Sequence, residues 1–187
     1  MYTYIIDADQ TTLSFSVRRL IRSRGTFTRI AGTVTVNEDG TPNSLEVIIA
    51  ARSLDTSMPP RDMHLRTASF LAVGRYPMIT YNSQDIAQVG PERYTIRGLL
   101  RFHGREQPVM LEAVLEPDDG TDGIRRVQVS GVLSRAAFAI PPNPVLDVLM
   151  RGMIGDEVHV TSRVCLTPMR DGVVQEPISL PSSQPQQ

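Results

Sequence analysis

Apolar side chains recur at every second position through most of this chain, a period that gathers them on one face of a strand. Leu13, Phe15 and Val17 alternate with Thr12, Ser14, Ser16 and Arg18. Leu45, Val47 and Ile49 follow the same rule, and Tyr94, Ile96, Leu100 and Phe102 keep it with Gly98 in step. It continues through Val109, Leu111, Ala113 and Leu115, then Val127 and Val129, and finally Val158, Val160, Val164 and Leu166. Turn-forming runs separate these segments: Glu38-Asp39-Gly40 with Thr41-Pro42-Asn43, Val89-Gly90-Pro91, and Asp118-Asp119-Gly120 with Asp122-Gly123. Half-buried strands joined by short turns make an antiparallel meander. About eight strands can close it into a barrel with room for packed side chains or one small ligand. The fold class is therefore all-β, a single closed antiparallel barrel.

A chain of 187 residues suits one such core. The charge balance, 19 basic against 20 acidic side chains, lacks the electrostatic footprint that nucleic-acid binding needs. Every basic residue is an arginine, spread along the chain as expected of a solvated surface. Hydrophobic content of 41% and charged content of 21% describe an ordinary globular protein with no stable insertion into a membrane. A lone Cys165, in an apolar run, reads as a small buried hydrophobe. The opening residues 1–7 lack the charged region and longer apolar run of a signal peptide, which points to the cytoplasm, or to the periplasm if a leader has been removed.

Two stretches break the alternation. Residues 58–71 read as a helix: Ser57 is placed to cap it, Pro59 and Pro60 belong in a first turn, and Asp62 complements the positive end of the helix dipole. Residues 144–151, after Pro141-Pro142-Asn143-Pro144, read as a loop or short helix whose apolar side chains cap the barrel mouth. Residues 1–168 then form the barrel domain. From 169 to 187 the composition turns to Pro, Ser and Gln and predicts a mobile tail.

Taken in order, a set of landmarks resembles the YceI-like family of bacterial polyisoprenoid-binding proteins, over roughly residues 4 to 166. They are Ile6-Asp7, Phe15-Ser16-Val17, Gly25-Thr26-Phe27, Gly32, Ser53-Leu54-Asp55-Thr56, and Arg61-Asp62 with His64-Leu65-Arg66. Phe70, Tyr76-Pro77, Gly98-Leu99-Leu100, His103-Gly104, Pro108-Val109, Ser134-Arg135, Phe138 and Gly155-Asp156-Glu157-Val158 complete them. Gln10-Thr11, Arg19 and Ala72 depart from the family's usual residues. The resemblance implies a lipocalin-like barrel whose apolar tunnel takes an isoprenoid chain, such as the tail of a polyprenyl phosphate or an isoprenoid quinone. A homodimer is also a weak implication.

On that reading Phe15, Val17, Phe27, Phe70, Tyr76, Leu100, Phe102, Phe138 and Ile140 are the candidate tunnel lining. Ordinary core packing would use the same residues, and only an interior void separates the two. Arg19, Arg61, His64 and Arg135 are candidate head-group contacts, the arginines as forked donors and His64 as a titratable helper. The alternative gives them structural salt bridges and surface positions. His64, His103 and His159 lie on different elements without metal-ligand spacing, and no nucleophile elbow or phosphate loop is present. The expectation is a binding protein rather than an enzyme, with no metal and no cofactor. The competing class is a ligand-free interaction or stress-response module, a plugged barrel acting through a dimer or partner surface.

Overall fold

The computed structural model describes residues 1–17, 23–117, 120, 123–140 and 155–169. The expected element at 144–151, the tail beyond Met169 and Arg19 lie outside them. Eleven strands form one sheet: β1 (Tyr2–Ile6), β2 (Thr12–Val17), β3 (Ser23–Phe27), β4 (Ile30–Val36), β5 (Pro42–Ala50) and β6 (Leu54–Asp55) come first. After the helix α1 (Pro59–Arg66) follow β7 (Met78–Gly90), β8 (Arg93–Phe102), β9 (Arg105–Leu115), β10 (Arg125–Ser134) and β11 (Glu157–Pro168).

Eleven segments make an eight-stranded barrel because three of its staves are interrupted. One end of β11 pairs with β1 (Ile6 opposite Leu166) and the other with β2 (Phe15 opposite Val160), so β1 and β2 are two halves of one stave. β3 and β4 make the next, paired with β2 and β1 respectively, and β6 and β5 the third. The β1–β11 pairing closes the ring and leaves no long free edge. Each interruption is held by side chains. The Asp7 carboxylate accepts the N–H groups of Asp9 (3.0 Å) and Gln10 (3.2 Å), while Thr11 Oγ1 accepts the Cys165 N–H at 3.1 Å. Ser53 Oγ accepts the Arg29 N–H at 3.1 Å across the other two breaks.

The predicted turns at 38–43 and 89–91 fall at the junctions of β4 with β5 and of β7 with β8, and the one at 118–123 lies mostly outside the described residues. A further hairpin joins β8 to β9. Its turn residues, His103 and Gly104, have φ of 51° and 72°, the double left-handed turn that matches strand twist. The Tyr76 ring covers this turn so closely that a Cβ on Gly104 would lie 2.5 Å from it.

The helix is shorter than 58–71 and differently capped. It ends at Arg66, where Thr67 turns extended, and the chain continues through turns to Pro77. Leu71 N–H returns to Leu65 O (3.1 Å) and Ala72 N–H to Thr67 O (2.8 Å). Ser57 does not cap. It has φ of 60° and its N–H is bonded to Asp55 Oδ1, while Met58 occupies the cap position without a side-chain bond. Pro59 and Pro60 do open the first turn, where absent N–H groups cost nothing.

Candidate functional site

The inward positions of the strands surround a cavity of about 690 Å³, within the range of roughly 300–1,000 Å³ typical of small-molecule sites. Its wall extends from α1, Phe70, Arg135 and Ile140 at one end of the barrel to Val36, Gly40, Pro42, Leu115 and Arg125 at the other. The void therefore runs lengthwise. Between those ends the wall is almost wholly apolar, drawn from Leu, Ile, Val, Phe and Tyr side chains of every stave.

Large side chains and an open axis coexist because small inward positions let their neighbours lie flat. On β8 the inward series is Tyr94, Ile96, Gly98, Leu100 and Phe102, and a Cβ at Gly98 would meet Asn82 O and lie 2.7 Å from the Tyr81 ring. Tyr81 thus spreads across β8 instead of projecting to the axis. Its hydroxyl is shared between Ile96 O (3.1 Å) and Val109 O (3.2 Å). Burial pushes the phenol pKa up to about 12, so it stays a neutral donor. Gly25 does the same for Phe15, its cross-strand partner, whose ring would lie 2.5 Å from an added Cβ. Gly131 makes room for Leu111 in the same way. Among the described residues Met58, Met63 and Met110 are exposed and lie off the cavity wall.

Of the expected lining, Phe15, Val17, Phe27, Phe70, Leu100, Phe102 and Ile140 stand on the cavity wall. Tyr76 and Phe138 do not. Tyr76 packs edge-on against His103 (5.0 Å between centroids) beneath the Arg75 guanidinium, outside the barrel axis. Phe138, 2% exposed, lies behind Phe102 at 5.8 Å, in a short 3-10 turn of residues 136–138 that tucks it under the barrel end. The larger part of the wall lies beyond these candidates. Tyr81, Leu13, Leu54 and Ala113 are examples. Leu13 and Ala113 carried the alternation signal already, whereas Tyr81 becomes visible only once Gly98 is seen to face it.

Three of the four expected head-group residues, Arg61, His64 and Arg135, meet at the α1 end of the cavity. Arg61 donates from Nε to Thr56 Oγ1 and from Nη2 to Thr56 O, both at 2.8 Å. Thr56 in turn donates its hydroxyl to the buried Asp62 carboxylate, which also accepts the Thr56 N–H at 3.1 Å. Burial works to raise the Asp62 pKa, but the Thr56 bonds and the charges of Arg66 and Arg61 outweigh it and hold it below the usual value. Arg66 donates to Leu54 O and is not on the cavity wall. Structural pairing therefore takes up Arg66 and part of Arg61. Arg135 Nε, like Arg66 Nε, is buried without a hydrogen-bond partner, but Arg135 stands on the cavity wall, with Asp156 near enough to feel its charge. Arg125, at the far end, is a cavity-wall cation that the sequence reading did not single out.

Among the described residues no three His, Cys, Asp or Glu side chains gather as a metal site, and no helix is long and apolar enough to cross a membrane.

A closed eight-stranded antiparallel barrel around a lengthwise apolar cavity, with one helix at its mouth, defines a lipocalin-like architecture. Residues 4–166 match the YceI-like domain, and the chain belongs to that family. Protein YceI of Salmonella arizonae and that of Salmonella newport are each 38% identical over 104 residues, 54% of this chain. The match spans about half the length of those relatives, 54%. BcnA of Burkholderia cenocepacia has a similar fold, with a TM-score of 0.76 at 17% identity over 87% of this chain and 99% of its own. A polyisoprenoid binding domain from Saccharophagus degradans superposes with a TM-score of 0.67 at 14% identity, covering 90% of this chain and 100% of its own.

Proposed function

We propose that the barrel binds one long apolar chain, an isoprenoid lipid with a polyprenyl phosphate or quinone head, and carries or stores it. The observation that carries this reading is the lengthwise apolar cavity of about 690 Å³, with arginines only at its ends. A chain lies along the axis, and a polar head sits by Arg61, His64 and Arg135. Membership of the YceI-like family and the likeness of fold to a polyisoprenoid binding domain support the choice of ligand.

The energetics favour exchange over capture. Each five-carbon unit gains on the order of 3 kcal/mol on leaving water, at about 0.8 kcal/mol per CH₂. A chain drawn from a bilayer was already dry, so its net preference for the cavity is close to zero, and the head-group contacts decide loading. A plugged interaction module would have no use for such a void.

The test is native mass spectrometry of protein purified from a bacterial host, followed by organic extraction of what accompanies it. One isoprenoid per barrel is expected, lost when Phe102→Asp places a charge on the wall of a barrel that circular dichroism shows to be folded. A protein that is ligand-free and takes up neither added quinone nor polyprenyl phosphate overturns the proposal.

A further inference from the structure

Among the described residues the cavity wall carries three arginines, Arg61, Arg125 and Arg135, and neither Asp nor Glu. The carboxylates near the α1 end keep their charge but stand off the wall. Asp62 lies among Thr56, Arg61 and Arg66. Asp156 feels the charge of Arg135, yet its oxygens accept the Ser134 hydroxyl at 2.6 Å and the Ala136 N–H at 2.7 Å. Asp55, Glu106 and Glu157 are exposed, Asp55 accepting the Ser57 N–H and Glu157 standing 3.9 Å from His159. For Arg61 beside Asp62, and for Arg135 beside Asp156, the cation is the member on the cavity side.

Two polar side-chain atoms on that wall are buried without a hydrogen-bond partner, Arg135 Nε and Ser162 Oγ. Ser162 stands partway along the barrel, in register with Val129 and Leu13, and its hydroxyl is neutral. Arg135 follows the last residue of β10, at the α1 end, and brings a full charge to a wall that is otherwise hydrocarbon. An unmet buried donor is costly, and more so on a charged group. A quinone carbonyl accepts a hydrogen bond but adds no compensating charge. A phosphate or carboxylate accepts two from one guanidinium fork and brings the opposite charge. Arg61 is oriented by Thr56, which takes its Nε and Nη2 and leaves Nη1 outside those bonds. At the opposite end Arg125 already donates to Ile124 O at 3.4 Å.

We propose that the head of the bound chain is anionic, a phosphate or carboxylate, and that Arg135 selects it over a neutral head, with Arg61 as the second contact. This rests on the proposed apolar ligand and deepens it. It separates polyprenyl phosphates from quinones, and it sets the direction of the chain, head at the α1 end and tail toward Arg125.

Displacement of the neutral probe N-phenyl-1-naphthylamine from delipidated protein tests this, using farnesol, farnesyl phosphate and farnesoic acid, and dodecanol against dodecyl phosphate. Wild type should bind a farnesyl anion about tenfold more tightly than farnesol, the difference between a charge-assisted and a neutral hydrogen bond. The tighter of farnesyl phosphate and farnesoic acid names the head. Arg135→Gln should lose the preference through weaker binding of the anion. Arg135→Lys, which keeps the charge and drops the fork, should keep part of it, and Arg125→Gln should keep the full ratio. Equal binding of farnesol and both anions by wild type overturns the assignment, as does a preference that survives in a folded Arg135→Gln. A preference lost only in Arg125→Gln reverses the chain and overturns it too. If the farnesyl compounds leave the probe in place while dodecyl phosphate outcompetes dodecanol, the isoprenoid reading falls and the anionic head stands.

Discussion

Ala72 has φ of 46°, in the left-handed region where a Cβ crowds the following carbonyl. Its carbonyl accepts both the Arg75 and the Tyr76 N–H at 2.8 Å, so the turn after α1 holds this conformation against the residue's own preference. Asparagine tolerates the region better than alanine, and Ala72→Asn should raise stability by about 0.5–1 kcal/mol, read from the urea midpoint at unchanged slope. The same scale explains what motif reading of the α1 cluster left open. Arg61, Asp62, His64 and Arg66 stand together in the sequence, yet two of Arg61's nitrogens and the Asp62 carboxylate converge on Thr56, while Arg66 reaches Leu54 O. Head-group or scaffold is not legible there, because nothing in a one-dimensional pattern shows that Thr56 is the partner on which Arg61 and Asp62 converge.

At the scale of elements, period two located the strands well, since a buried face demands alternation wherever one side meets water. It located the breaks poorly. The gap between β1 and β2 depends on Asp7 and Thr11 finding backbone N–H groups, one of them Cys165, 154 residues further along the chain. The helical pattern runs on to residue 71 because apolar positions continue after Arg66, where tertiary turns rather than helical bonds use them. Phe138 and Tyr76 enter the expected lining through the family resemblance. Apolar bulk does not say which side of a wall it occupies, and both pack behind it. The pairing of Tyr81 with Gly98 makes the most specific prediction for an element. Gly98→Ala should drive the Tyr81 ring toward the axis and cost about 2–3 kcal/mol, lowering Tm by on the order of 5–10 °C by differential scanning calorimetry. A melting point within a degree of wild type would show that the ring has room to yield.

For the whole molecule, a barrel of this strand number can be filled by side chains or hold one ligand, and the arithmetic of closure does not choose. The expectation of a closed, lipocalin-like barrel is borne out by the β1–β11 pairing and by the similarity to BcnA. The interior void was beyond the reach of sequence, because it depends on where side chains lie down. Phe15 against Gly25, Tyr81 against Gly98 and Leu111 against Gly131 keep bulk on the wall and the axis free. Ala113, in register with Tyr94 and Val129, adds a further small inward position.

Ala113 is therefore where the account is most directly tested, by titrating delipidated protein with a fluorescent long-chain isoprenoid. Wild type should saturate at one chain per barrel, and Ala113→Phe, filling the void from its wall, should lose most of that binding while keeping its circular dichroism and a cooperative melt. Undiminished stoichiometric binding by Ala113→Phe, in a folded barrel, would mean that the chain lies elsewhere and that the cavity is not the site.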